Sequence, residues 1–514
     1  MRGLALGKMT IVMNVILMTN PATTKERSPM SVSFRLIIIS MIALCACMAK
    51  ASAQDVLPIT DPVKLSLAAG YKATFTCSSV FISNRTPEQI AGDELNRIYP
   101  DYRAAFAQLP EAQIDPKAKT VSVAYNDNMP ARHAVYTGSR GCMQLPTGAR
   151  LEDFDREAYF QRAVSRRQIA KSKKKQWPLG DKLDAPLWMD TEAGAFVRAQ
   201  IDRAFDRDTY GVGTETTATL VIKDGEIIAE KYRDGFDMHT PQRTWSVAKS
   251  IAATIIGAAV QDGIISVGDK ATFEHWDGQN DPRRAITLEN FLHMGSGLDA
   301  SPRGNRTGDI YFGGGRVVDH TNRRLIAAPG SRWYYANNDT MLAMRMLRER
   351  FEDVSEYHDY PFAKIFKRLG MLHTHPETDW NGDFILSSQV YTTARDLGRL
   401  GLLYLNNGVV NGEQILPEDW AAYVASPAPV QPPLRANGTR RFGYGAQFWL
   451  LEGFNDLPEG TYAALGNRGQ SLVIVPSENM IIIRRGFDDN GGAQFDVAGF
   501  AGDIVKAMTQ DKAN

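Results

Sequence analysis

Three short segments carry side chains that together could open an ester or an amide. The first is Trp245-Ser246-Val247-Ala248-Lys249-Ser250, which runs into the apolar stretch Ile251 to Val260. A serine hydroxyl is a poor nucleophile until a neighbour takes its proton. Lys249 lies one helical turn from Ser246 on the same face, and it can act as that neighbour only when neutral. An apolar flank favours the neutral form by withholding solvation from the ammonium. Backbone N–H groups at the start of such a helix can also stabilise an oxyanion. Ser-x-x-Lys is a short pattern, and the chain supplies its own control. Ser172-Lys173-Lys174-Lys175 has the same spacing but sits in a basic run where the lysine stays charged.

The second segment, Pro329 to Asn338, places Tyr335-Ala336-Asn337 in a loop that opens a helix, 89 residues after Ser246. A tyrosine beside a lysine can give up its proton more easily, act as base and return the proton to a leaving group. Asn337 can hold an acyl amide or carbonyl. Tyr404-Leu405-Asn406 repeats the pattern inside an apolar helical stretch and reads as structural. The third segment is Gly466-Asn467-Arg468-Gly469-Gln470, at the start of a strand. Gly469 would let substrate approach the strand edge, and the Gln470 N–H would complete an oxyanion hole with that of Ser246. Asn467 can donate a hydrogen bond but brings no charge. Arg468 could compensate only by turning inward, and strand alternation places it on the opposite face. Tyr311, ahead of Phe312-Gly313-Gly314-Gly315, is a further substrate-contact candidate on a flexible cleft-lining loop. That run lacks the lysine of a phosphate loop.

These residues need a frame. Val197, Ile201 and Phe205 at spacing four mark an amphipathic helix. Thr217 to Ile222 and Glu226 to Tyr232 flank Lys223-Asp224-Gly225, a hairpin signal. Gln470 to Val475 and Asn479 to Arg484 give two more strands, and Phe500, Ile504 and Met508 share one side of a last helix. Strands at both ends with helical sequence between predict an α/β fold of the α+β type. It has one antiparallel sheet flanked by helices, with an inserted helical lobe, over residues 186–514. Residues 54–185 form a smaller region of short apolar alternations and polar helices. It closes in a basic stretch, Arg166 to Lys175, and a linker at Trp177-Pro178-Leu179-Gly180.

The three segments in this order resemble the serine β-lactamase, penicillin-binding and D-alanyl-D-alanine peptidase superfamily. More closely, residues 217–505 look like class C-type serine hydrolases of the 6-aminohexanoate-dimer hydrolase and esterase group. Phe291-Leu292-His293-Met294-Gly295-Ser296-Gly297-Leu298 and Thr392-Thr393-Ala394-Arg395-Asp396-Leu397 add to the likeness. The resemblance implies a β-lactamase/transpeptidase-like fold, with Ser246 acylated, Lys249 as its base partner and Tyr335 as general acid/base. Asn337 would bind the acyl side and the Gln470 backbone the oxyanion. The third motif of such proteins opens with Lys or His where Asn467 stands here, a departure that bears on recognition of a carboxylate. The expected activity is hydrolysis of a small ester or amide without metal or cofactor. The alternative from another class is a penicillin-binding-like sensor that acylates with little or no turnover.

Composition sets the outer bounds. The 514 residues carry 58 Lys+Arg and 58 Asp+Glu, and 44% are hydrophobic, which excludes disordered or collagenous chains. Leu36 to Ala49 is an apolar run after Arg35 and before Ala51-Ser52-Ala53, so residues 1–53 read as a signal peptide, with Met30 the expected start. The alternatives are an uncleaved anchor and a lipoprotein through Cys47. Cleavage would leave 52 basic and 57 acidic residues, which disfavours nucleic acid as a partner. It would also leave Cys77 and Cys142, expected to pair in the oxidising periplasm or outside the cell, the other reading being two unpaired buried thiols. His373-Thr374-His375 with Asp379 reads as a solvent-exposed turn rather than a metal site. His293 is expected to pack behind the Gly295 turn.

Overall fold

A computed structural model of the chain describes residues 60–513, apart from 277, 302–306, 491 and 493. The expected signal peptide lies outside the described residues. Helix α1 (Pro62–Phe81) begins at Asp61, whose carboxylate accepts from the Val63 and Lys64 N–H groups. The sequence reading made the helices of this region polar. Most of α1 is instead buried, from Ala68 to Ser79. It packs on a four-stranded antiparallel sheet of β1 (Gln113–Asp115), β2 (Thr120–Val123), β3 (Arg132–Tyr136) and β4 (Cys142–Gln144). Ala69, Ala73, Val121, Val123 and Ala134 fill the space between them, and Cys77 and Cys142 join helix to sheet by a disulfide.

After α2 (Ala195–Arg203) comes the predicted hairpin, β5 (Thr216–Lys223) and β6 (Glu226–Tyr232). Asp224 and Gly225 turn it, with φ of 52° and 87°, the left-handed backbone that an Asp-Gly pair adopts readily. Beyond it lie α3 (Val247–Gln261), α4 (Thr307–Tyr311), α5 (Asn337–Arg348) and α6 (Ala394–Leu405). The strands β7 (Tyr462–Gly466), β8 (Gln470–Val475) and β9 (Met480–Gly486) follow, and the described chain ends in α7 (Val497–Ala513). The main sheet is antiparallel and seven-stranded, in the order Gly443–Tyr444, Trp449–Leu450, β7, β8, β9, β5, β6.

Both faces of this sheet are covered. Ile481 and Ile483 of β9 meet Ile251 and Ile255 of α3 and Leu397 and Leu400 of α6 in one core. Met480 and Ile482 join Val197 and Ile201 of α2 and Phe500 and Ile504 of α7 in the other. Double coverage is why β9 reads as a continuous apolar run rather than an alternation. Helix α6 comes close because it has glycines at the contact: a Cβ on Gly401 would lie 2.8 Å from Ile481 Cδ1.

The stretch read as a linker is pinned. Trp177 is buried, donating from Nε1 to the Gly225 carbonyl at 2.8 Å. Arg399 of α6 stacks on that ring, donates to the Pro178 and Gly180 carbonyls and pairs with Asp181 at 3.0 Å. The described residues accordingly form one unit. Among the described residues no helix is long and apolar enough to cross a membrane.

Candidate active site

Ser246 stands at the head of α3, directly after Trp245, whose φ is 50°. A bulky residue keeps positive φ only where its surroundings enforce it. The Arg243 guanidinium lies 3.9 Å from the Trp245 ring, and Phe75 of α1 and Tyr99 pack on it with centroids 6.0 and 5.9 Å away. The residue that presents Ser246 is therefore buttressed by the N-terminal layer.

Lys249 is 1% exposed. Its Nζ lies 3.1 Å from Ser246 Oγ, 2.7 Å from Asn337 Oδ1 and 2.7 Å from the Ser387 carbonyl oxygen. Burial lowers its pKa from 10.5 to about 7, with no charged neighbour opposing it. A neutral amine has two N–H donors and one lone pair. The two carbonyl oxygens can only accept, so they take both N–H groups and leave the lone pair for the Ser246 hydroxyl.

The Tyr335 hydroxyl faces Ser246, and burial pushes its pKa up to about 12. Its ring lies 4.9 Å from Lys249 Nζ. The sequence reading expected a tyrosine made more acidic by the lysine. Burial outweighs any such effect, so Tyr335 stays a protonated donor. With the amine neutral, the Ser246 hydroxyl can donate to Lys249 Nζ and accept from the Tyr335 hydroxyl. Asn337, first residue of α5, is held at its other end by Nδ2 donating to Thr307 Oγ1 at 3.3 Å.

The third segment is arranged differently from expectation. The Leu451 N–H donates to the Thr461 carbonyl at 2.9 Å, and Trp449 pairs with Ala463. Alternation along β7 then points the Leu465 N–H to the same outer side. There Gln447 turns away with φ 63° and donates its N–H to the Leu292 carbonyl. Gly466 follows against the serine: a Cβ there would sit 3.2 Å from Ser246 N and 2.3 Å from the Thr244 oxygen. The Ser246 N–H thus lies at the cleft beside Gly466, at the end of β7. Gln470 lies opposite Gly466 in the hairpin, so its N–H faces its partner strand instead. Its side chain is also spent, bonding the Arg468 and Gly486 carbonyls and Arg485.

Gly469 serves the back of the turn rather than a substrate. A Cβ on it would collide with Arg484 Nη1, which pairs with Asp488. Asn467 Oδ1 accepts the Arg468 N–H at 2.9 Å. Arg468, at φ 57°, is buried and donates to the carbonyls of Asp93, Glu94, Asn96, Phe487 and Asp488. It ties the sheet to the N-terminal layer and offers the cleft no charge.

Tyr311 is the last residue of α4, not part of an open loop. It is buried, with its hydroxyl 2.5 Å from Ser387 Oγ. Sequence reasoning missed Ser387, which only tertiary structure brings to Lys249. It also missed an aromatic wall around Tyr335, formed by Trp333, Tyr444 and Trp449 with centroids 6.3, 6.0 and 5.3 Å from its ring. Of these, Trp333 alone lies beside a motif. His293 packs against Tyr423, with ring centroids 5.5 Å apart. His375 is not in a solvent-exposed turn but in a short buried ribbon, its Nδ1 3.2 Å from the Ser139 oxygen. Tyr404 is structural, its hydroxyl 2.8 Å from Thr254. Among the described residues no cluster of three or more His, Cys, Asp or Glu could hold a metal.

An antiparallel sheet closed by strands from both ends of the domain, with Ser-x-x-Lys heading a buried helix beside it, is the architecture of the serine β-lactamase and penicillin-binding superfamily. The chain belongs to the beta-lactamase family, whose sequence model matches residues 201–484, more than half of its length. A 6-aminohexanoate-dimer hydrolase of Paenarthrobacter ureafaciens is 25% identical over 291 residues, covering 53% of this chain and 72% of that protein. An uncharacterized protein of Alkalihalophilus pseudofirmus is 30% identical over 299 residues, covering 52% and 82%. Among solved structures, a family VIII carboxylesterase superposes with a TM-score of 0.49 at 15% identity, covering 64% of this chain and 99% of that one. Helix α1 and strands β1 to β4 precede the matched span.

Proposed function

We propose that the chain is a serine hydrolase that cleaves a small ester or amide through an acyl-enzyme on Ser246. The observation that carries this reading is the Lys249 amine, buried, held by two carbonyl oxygens and 3.1 Å from Ser246 Oγ. Lys249 takes the hydroxyl proton as Oγ attacks the substrate carbonyl carbon. The Ser246 N–H, at the head of α3, holds the oxyanion that forms. As the carbon–heteroatom bond breaks, Tyr335 passes its proton to the leaving group and is reprotonated by the Lys249 ammonium. Water then attacks the ester on Oγ by the same steps reversed. Because Arg468 is engaged elsewhere and Asn467 is neutral, the third motif does not supply the charge that would dock a carboxylate. Neutral esters and linear amides fit better than penicillins.

Labelling with a fluorophosphonate and assay with short-chain p-nitrophenyl esters test the proposal. The wild type takes the label and releases p-nitrophenol, and Ser246→Ala does neither. Equal labelling of the two proteins would remove Ser246 from the chemistry. A permanent penicillin adduct without ester turnover would instead favour an acylating sensor. The proposal extends to export behind residues 1–53, supported by the Cys77–Cys142 disulfide, a bond that persists in oxidising compartments. In a Gram-negative host the processed protein is then expected in the periplasmic fraction with Gln54 as its first residue. A cytoplasmic protein retaining Met30 would refute this part.

A further inference from the structure

The carbonyl that holds Lys249 has no strand or helix of its own to hold it. Ser387 lies in the turn between Ile385 and Val390, where the Ser388 and Gln389 N–H groups both return to the Ile385 oxygen. A lysine amine ends a flexible four-carbon stem and rotates about its last bond unless its N–H groups meet fixed acceptors. Asn337 Oδ1 is one such acceptor, anchored through Thr307. The other is the Ser387 oxygen, in a turn that Arg243 holds at Ser388 and that Ser387 itself holds by its side chain, 2.5 Å from the Tyr311 hydroxyl and fully buried. Tyr311 is itself set in an aromatic cluster with Tyr71 and Phe75 of α1 and Phe312.

We propose that Tyr311 and Ser387 are a positioning pair for Lys249: the bond between their hydroxyls fixes the carbonyl that sets the rotation of the amine, and so aims its lone pair at Ser246. The inference rests on the reading of Lys249 as the base. Neither hydroxyl touches the reacting atoms. The pair also carries the rigidity of the N-terminal layer to the lysine, from a part of the chain outside the span matched to the family.

The test is the rate of fluorophosphonate labelling of the full chain as wild type, Tyr311→Phe, Ser387→Ala and the double variant, with a thermal melt of each. Loss of one buried hydrogen bond that orients the base is expected to slow each single variant about tenfold. Because the two hydroxyls share one contact, the double is expected to be no slower than the slower single. Ester hydrolysis should show the same loss in kcat with KM within about twofold. Independent packing defects would multiply in the double variant, and that result would overturn the inference. Labelling of both singles within about twofold of wild type would overturn it too, while leaving Ser246 and Lys249 in their roles. No label on wild type would overturn both the reading and the inference. Ser387→Ala leaves the aromatic cluster untouched, so a folding failure of Tyr311→Phe does not remove the test.

Discussion

Lys249→Met is expected to fold and to lose about a thousandfold in kcat, the middle of the range for removing a positioned general base. Methionine matches the length and apolar stem of lysine, so the buried hole beside Ser246 stays filled. It has no lone pair basic enough to take the serine proton. The wild-type pH profile should carry the mark of the same group. Burial lowers the Lys249 pKa to about 7, and only the neutral amine is active. The rate therefore rises about tenfold per pH unit up to roughly 7 and levels above it. Tyr335, held protonated up to about pH 12, adds no fall within the working range. The residual activity of the Met variant should lack the limb near pH 7. A Met variant within tenfold of wild type, or a wild-type limb near 4 to 5, would point to a carboxylate as base instead.

Removing the disulfide is the second large effect. Cys77 and Cys142 are 65 residues apart, and closing a loop of that size is worth about 4 kcal/mol in the chain-entropy account. For a unit of this size, Cys77→Ser with Cys142→Ser should lower the thermal midpoint by roughly 4–5 °C. The damage should not stop at stability. Helix α1 bears Phe75, which packs on Trp245, and Tyr71 and Phe75 share the cluster that holds Tyr311. Loosening α1 slackens both the turn that presents Ser246 and the carbonyl that holds Lys249, so ester turnover should fall as well. Dithiothreitol should reproduce the shift in wild type and leave the double variant unchanged. A wild type that melts alike with and without reductant, or that shows two free thiols when denatured without it, would remove the bridge from the account.

What could be read from the sequence was local. The Asp224-Gly225 hairpin needed nothing but its two turn residues, and the contrast between Lys249 and Lys175 followed from the hydropathy of their flanks. Lys249 is buried and Lys175 exposed, as those flanks imply. The third segment could not be read in the same way. Which side of β7 receives the Leu465 N–H is decided by the pairing of Trp449 with Ala463, so the residue types around Gly466 do not reveal it. Arg468 was placed by strand alternation, but its φ of 57° takes it out of the strand and into a pocket of carbonyls from residues 93–96 and 487–488. Ser387 belongs to no motif, because its part is played by a backbone oxygen. The burial of α1 was hidden by Lys72, Thr74, Thr76, Ser78 and Ser79, polar side chains that a helix packed on most sides takes inside.

The pairing of β5 with β9 sets a timetable for biosynthesis. Lys223 lies opposite Met480 in the middle of the sheet, so the hairpin leaves the ribosome about 260 residues before the strand that completes it. At 5–20 residues per second that gap lasts on the order of 10–50 s. Throughout it one edge of β5, with Leu220, Val221 and Ile222, has no partner and its apolar faces no cover. A nascent chain in that condition needs a chaperone to shield it. The same delay keeps the main sheet from closing before its late strands, β7 to β9, are made.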